Sequence, residues 1–229
     1  MAKKIFCIIP AYNEENNIAA VIESVKSFID EIIIVDDGSF DNTVRIAQKK
    51  STAVIKHLIN RGQGAALMTG NIYALENEAD VIVHFDADGQ FRAKDIPKII
   101  KPILSGEAEA VFGSRFLSKK SNIPAFKRFI IMPLARAVNY IILGIKLSDP
   151  QAGFRAINSR IAAELNITND GAAHCSEIMH KVSEITDKIR EVPIVVNYNN
   201  FGQGIFSGRG RGSGGLRVLK DLIFQKIIS

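Results

Sequence analysis

Apolar, β-branched runs alternate with stretches of helical periodicity through the first half of this 229-residue chain, and that alternation restricts the fold more than any other feature. Lys4–Ile9, Glu31–Val35, Ala53–His57, Val81–Phe85 and Glu109–Phe112 read as strands. Between them, Asn16–Phe28, Asp41–Lys49, Gly62–Leu75 and Asp95–Leu104 repeat their apolar residues with a helical period. Strands and helices alternating at this length predict βαβ units, hence an α/β fold with a mostly parallel central sheet flanked by helices. Such sheets bind ligands in the loops at the carboxyl ends of their strands. Pro10–Glu14, Asp36–Ser39 and Asp86–Gln90 are thereby placed along one edge, and the acidic clusters fall there.

After residue 115 the pattern loosens. Phe126–Ile145 reads as a basic amphipathic helix, Ala173–Thr186 as another helix and Arg190–Tyr198 as a further strand. Phe201–Gly215 holds seven of the chain's 17 glycines and no acidic residue, and Leu216–Ile228 reads as an amphipathic helix. We therefore expect one domain over residues 1–200, followed over 201–229 by a mobile Gly/Arg-rich segment and a terminal helix. The net charge of +5 is unevenly spread. Residues 1–110 carry 12 basic and 16 acidic side chains; residues 111–148 carry seven basic and none acidic. That asymmetry points to a polyanionic partner, nucleic acid or an anionic membrane with its phosphates. No stretch of about 20 apolar residues is present to span a bilayer. With only Cys7 and Cys175, a reducing cytoplasmic setting is expected.

The sharpest local feature is Asp86-Ala87-Asp88 directly after the strand Val81–Phe85. Two carboxylates at i and i+2 beyond a strand end can converge on one hard cation, Mg²⁺ or Mn²⁺, which would neutralise a departing diphosphate. Asp36-Asp37-Gly38-Ser39 offers carboxylates to a ribose or base edge, or a cap to the following helix. Asn60-Arg61-Gly62-Gln63-Gly64 opens a helix with glycines, which suits an anion or close helix–sheet packing. His57, His84, His174 and His180 have no metal-ligand spacing and read as ordinary strand and helix residues.

Taken in order, Pro10-Ala11-Tyr12-Asn13-Glu14, Val35-Asp36-Asp37-Gly38-Ser39, Asn60-Arg61-Gly62-Gln63-Gly64, Asp86-Ala87-Asp88-Gly89-Gln90 and Gly113-Ser114-Arg115 resemble the family-2 glycosyltransferases of the GT-A fold. Asp149-Pro150-Gln151-Ala152-Gly153-Phe154-Arg155 and Glu191-Val192-Pro193-Ile194 are similar to the dolichyl- and polyprenyl-phosphate sugar synthases within them. The resemblance implies an inverting, metal-dependent transfer of a hexose, mannose or glucose in type, from a nucleotide diphosphate sugar to a dolichyl or polyprenyl phosphate. It implies a protein peripheral to the cytoplasmic membrane face, with an anionic membrane rather than nucleic acid as partner.

By position, Pro10, Tyr12 and Glu14 would line the nucleotide pocket, Asp37 would bind base or ribose, and Asp36, Gly62 and Ala87 would complete the donor side. Asp86, Asp88 and Gln90 would hold the Mg²⁺ or Mn²⁺ and the diphosphate. Arg115 and Arg128 would face the acceptor phosphate, with Asp149 and Arg155 near the transferred sugar. Relatives commonly carry an arginine shortly after Val-Pro-Ile; here Asn197-Tyr198-Asn199-Asn200 stands there, and Arg209 or Arg211 is expected to replace it.

Elementary chemistry agrees with a phosphate acceptor. A lipid monophosphate, with a second pKa of about 6, arrives largely dianionic near neutral pH, so a strong general base is dispensable. A hydroxyl acceptor would instead need a base, for which Asp149 is the candidate. Phosphatases with a strand-D-x-D-G nucleophile need a further acidic pair downstream, and the sole Asp-Asp pair, Asp36-Asp37, lies upstream.

Overall fold

The computed structural model describes residues 3–50, 53–117, 140, 147–149, 151, 153–171 and 173–197. Arg128, Arg209 and Arg211 lie outside the described residues, as do the expected helices 126–145 (but for Tyr140) and 216–228 and the expected segment 201–215.

The elements follow in order: β1 (Ile5–Ala11), α1 (Ile18–Val25), β2 (Glu31–Asp36), α2 (Thr43–Gln48), β3 (Ala53–Lys56), α3 (Gln63–Glu76), β4 (Val81–His84), α4 (Ile96–Leu104) and β5 (Ala110–Ser114). Then come β6 (Arg155–Asn158), α5 (Ser159–Glu164), α6 (His174–Ile185) and β7 (Ile189–Pro193). The seven strands form one sheet in the order β3-β2-β1-β4-β6-β5-β7. Pairings β1·β2, β1·β4, β2·β3 and β5·β7 are parallel, while β6 runs antiparallel to both its neighbours, β4 and β5. The strand expected over Arg190–Tyr198 spans Ile189–Pro193 instead, with Val196 adding an isolated bridge to Phe91.

Alternation along each strand divides the core in two. Cys7, Ile9, Ile32, Ile34, Val81 and Val83 pack with α1 and α4 on one face; Phe6, Ile8, Ile33, Val35 and Ile82 pack with α3, α5 and α6 on the other. Because both faces are covered, these strands are apolar without a break rather than alternating. Each fully buried isoleucine contributes about 1.5–3 kcal/mol relative to exposure. The helices bury matching stripes, Ile18, Val21, Ile22 and Val25 on α1 and Ile96, Ile99, Ile100 and Ile103 on α4. The sheet is thus clamped between two apolar layers, and only its loops are left to do chemistry.

Candidate active site

Two loops at the carboxyl edge, those after β1 and β2, are knitted together before any ligand is considered. The Asn13 amide donates to Ser39 Oγ at 2.9 Å, the Phe40 amide to Asn13 Oδ1 at 3.0 Å, and the Glu14 amide to Thr43 Oγ1 at 2.8 Å. Asn13 takes a left-handed conformation (φ 55°) to turn the chain there, one of the few residue types that tolerate it.

Asp37 is the organiser of the next layer. Its Oδ1 accepts from the Arg61 amide at 3.0 Å and lies 2.8 Å from His57 Nδ1; its Oδ2 accepts from the Gly62 amide at 2.6 Å. Each carboxylate oxygen offers two acceptor sites, so these contacts leave one site on Oδ2 for a ligand donor. Gly62 has φ +112°, and a Cβ there would lie 2.0 Å from the Asp170 carbonyl oxygen. Only glycine permits that backbone and that approach. Asp36 is fully buried; its Oδ2 accepts from the Ser39 amide at 3.1 Å, and its Oδ1 has no partner among the described residues. It braces the turn, whereas Asp37 borders the cavity.

That cavity, about 320 Å³, lies between Pro10–Tyr12, Glu14, Asp37, Gly62-Gln63 and Asp86–Asp88. Expected donor-side residues Pro10, Tyr12, Glu14, Asp37, Gly62, Asp86, Ala87 and Asp88 are thus brought together; Gln90 and Arg155 are not among its lining residues. Gln90 serves through its backbone: its amide donates to Asp88 Oδ1 at 2.9 Å and its carbonyl accepts from Asn197 at 2.9 Å.

The cavity floor is rich in negative charge. Burial pushes the Asp88 carboxyl up to about 6, with Asp86 and Glu14 adding like-charge repulsion. Burial likewise raises Asp86, opposed by the nearby charges of Arg155, His174 and Arg115 and by a hydrogen bond from Gln63 Nε2. Glu14 is raised mainly by burial. Two part-buried carboxylates that repel each other are hard oxygen donors suited to Mg²⁺ or Mn²⁺. No group of three or more His, Cys, Asp or Glu side chains placed to hold a metal occurs among the described residues.

Arg115 and Asp149 form a second, adjacent centre. Asp149 is buried, and its Oδ2 accepts from Arg115 Nε at 2.6 Å and from the Arg115 amide at 3.2 Å. Arg115 Nη2 donates to the Gln151 carbonyl at 2.8 Å. Below them the Glu191 carboxylate accepts from the Ser148 amide at 2.8 Å, and Ser114 Oγ meets Ser148 Oγ at 2.6 Å. Arg155 stands on β6, buried behind Asp86 rather than beside the cavity, with Nη2 3.7 Å from Cys175 Sγ. His57 and Gln63 are residues whose part the sequence reading missed. A histidine one residue beyond β3 carries no signal by itself, because its carboxylate partner lies 20 positions away.

The profile of the family described as Glycosyl transferase family 2 matches residues 6–165, and the chain belongs to that family. The UDP-N-acetylglucosamine–dolichyl-phosphate N-acetylglucosaminyltransferase of Methanococcus voltae is 35% identical, over 87% of this chain and 88% of its own length. The undecaprenyl-phosphate mannosyltransferase of Micrococcus luteus is 27% identical, over 90% of this chain and 88% of its own. Among solved structures, glucosyl-3-phosphoglycerate synthase from Mycobacterium tuberculosis, in complex with Mn²⁺, UDP-glucose and phosphoglyceric acid, gives a TM-score of 0.75 at 21% identity, covering 100% of this chain and 81% of that one. This likeness establishes the fold, which is GT-A.

Proposed function

We propose that this protein transfers a hexose from a nucleotide diphosphate sugar to a dolichyl or polyprenyl phosphate, with inversion at the anomeric carbon. The observation that carries the reading is an acidic cavity at Asp86 and Asp88 beside the Arg115 guanidinium, which Asp149 holds in place at 2.6 Å and whose positive charge opposes the burial of the Asp86 carboxyl. Relatives named as acting on dolichyl and undecaprenyl phosphates, aligned over most of the chain, support the acceptor class.

Pro10, Tyr12 and Glu14 would line the nucleotide, and Asp37 would accept one donor hydrogen bond from ribose or base. Asp86 and Asp88 would hold Mg²⁺ or Mn²⁺, the Gln90 amide fixing the rotamer of Asp88. When bound, such a cation would supply positive charge to the leaving diphosphate. Arg115, oriented by Asp149 and the Gln151 carbonyl, would hold the acceptor phosphate, with Arg128 and Arg209 or Arg211 beside it. With one oxygen committed twice to Arg115, Asp149 suits the role of orienting a guanidinium better than that of a base. The phosphate oxygen attacks the anomeric carbon, the bond from that carbon to the diphosphate breaks, and its electron pair leaves on the nucleotide diphosphate. A dianionic phosphate needs no deprotonation for this step.

Among the described residues no helix is long and apolar enough to cross a membrane. Peripheral placement on the cytoplasmic face, through the basic segments, belongs to the same proposal. The purified protein should form a glycosyl phosphate lipid from a nucleotide sugar, polyprenyl phosphate and Mn²⁺, and lose this activity in EDTA. NMR of the product should show the linkage opposite to that of the donor. Retention of configuration, or transfer to hydroxyl acceptors alone, would overturn the reading.

A further inference from the structure

The loop from Asp86 to Gln90 leaves the sheet after β4 and returns at Phe91, and it needs something to hold its two ends together. Phe154 does this. Its ring centroid lies 5.0 Å from that of Phe85 and 5.4 Å from that of Phe91, which are themselves 5.8 Å apart. The three rings close a triangle beneath the loop, with Phe85 and Phe154 fully buried. The two edge-to-face pairs, Phe85–Phe154 and Phe85–Phe91, contribute beyond their buried area.

The residues either side of Phe154 bear on Asp86. A Cβ built on Gly153 would lie 2.8 Å from Asp86 Oδ2 and 3.4 Å from the Phe91 ring. The carboxylate therefore fills the space that any larger residue at 153 would occupy. Arg155 pairs across the antiparallel ladder with His84, two residues before Asp86, and opposite residues of such a pair point to the same face. Its guanidinium is buried, held at Nη2 by Cys175 Sγ, which lies 3.3 Å from His174 Nε2. Arg155 Nε and Nη1 have no hydrogen-bond partner among the described residues, so this charge is fixed by packing and sensed at Asp86.

We infer that Gly153-Phe154-Arg155 is a positioning element for the cation-binding loop, setting the orientation of the Asp86 carboxylate and the closure of Phe85 on Phe91. The inference rests on the reading that Asp86 and Asp88 hold a divalent cation. These three residues act through Asp86, and their signature is metal affinity.

Gly153→Ala is the discriminating variant. Gly153 is outside the left-handed region, so alanine meets no backbone strain, and the atom it would strike is the tip of a carboxylate, which can swing aside. The fold should survive while the cation site is disturbed. Mn²⁺ binding is to be measured by electron paramagnetic resonance with the metal alone and with UDP or GDP, alongside thermal melting. We expect Mn²⁺ affinity to fall 10-fold or more in Gly153→Ala, with a melting temperature within a few degrees of the parent. The KM for Mn²⁺ should rise in step, with kcat recovering at saturating metal. Phe154→Leu, which opens the triangle, should weaken Mn²⁺ several-fold. A folded Gly153→Ala protein with parental Mn²⁺ affinity overturns the inference, and so does one that fails to fold, because the backbone rather than Asp86 would then be absorbing the contact. A parent protein that binds no Mn²⁺ with either nucleotide rejects the functional reading itself, an outcome distinct from both.

Discussion

Gln63, the first residue of α3, donates from Nε2 to Asp86 Oδ1 at 2.7 Å, so the helix that follows β3 and the loop that follows β4 share one carboxylate. Gly153 guards the other oxygen of the same group. Replacing Gln63 with leucine leaves Oδ1 without this donor, at about 1–3 kcal/mol for an unsatisfied buried polar group. The expected outcome is a rise of about 10-fold in the KM for the metal–donor pair, with unchanged circular dichroism. An unchanged KM would show that the contact is dispensable.

Asp88→Asn should separate stability from activity. Asp88 titrates near 6 because burial, Asp86 and Glu14 all disfavour its charge. Its folded-state pKa is raised, so the native state binds the proton more tightly than the unfolded chain does. The stabilising effect of that proton is fully present below about pH 4 and is lost as pH rises through about 6. At neutral pH the ionised group therefore works against folding. Asparagine preserves the acceptor for the Gln90 amide and removes the repulsion. The metal-free variant should be more stable than the parent by on the order of 1 kcal/mol after allowance for partial exposure, yet inactive. Thermal melts in EDTA and a transfer assay read the two effects separately.

Metal affinity itself should depend on pH. Protons and Mn²⁺ compete for Asp88, so Mn²⁺ affinity should fall as pH drops through about 6 and level off above 7. Calorimetric titration at pH 5.5, 6.5 and 7.5 tests this. Flat affinity across the range would place the cation elsewhere.

Asp149→Asn should act on the acceptor through Arg115. Breaking a buried ion pair from one side typically costs about 3–5 kcal/mol, and asparagine keeps the shape and one acceptor, so the lower end is expected for stability. If Asp149 orients Arg115, the acceptor KM should rise more than kcat falls, and the pH–rate profile should keep its shape. Loss of the acidic limb from that profile, with KM unchanged, would instead assign a general base.

Much of the carboxyl edge was legible beforehand because each of its loops follows an unbroken apolar strand. Val81–His84 announces Asp86 and Asp88; Glu31–Val35 announces Asp36 and Asp37. β6 was not visible in the same way. It is four residues long and begins with an arginine and ends with an asparagine, yet it occupies a central position, with Arg155 buried behind Asp86. The resemblance places Arg155 near the transferred sugar by the position of its motif alone. Which face of β6 it occupies depends on the His84 pairing, about 70 residues away, and no local pattern encodes that. His57 and Asp37 show the same limit: a side-chain pair between two loops exists only once β2 and β3 are aligned.

The position of β6 also bears on how the chain is made. β4 and β5 are not paired with one another; each awaits Arg155–Asn158. A nascent chain released only as far as residue 150 would hold two strands, each with an open row of amides and carbonyls, in the middle of its sheet. Such edges are templates for association with other chains, and closing contacts across so long a loop is slow. Fragments ending between residues 115 and 150 should therefore aggregate rather than fold, whereas cuts within residues 198–229 remove none of the seven described strands. Any dissection of this protein for expression or domain exchange has its earliest safe boundary after β7, not after the last of its acidic motifs.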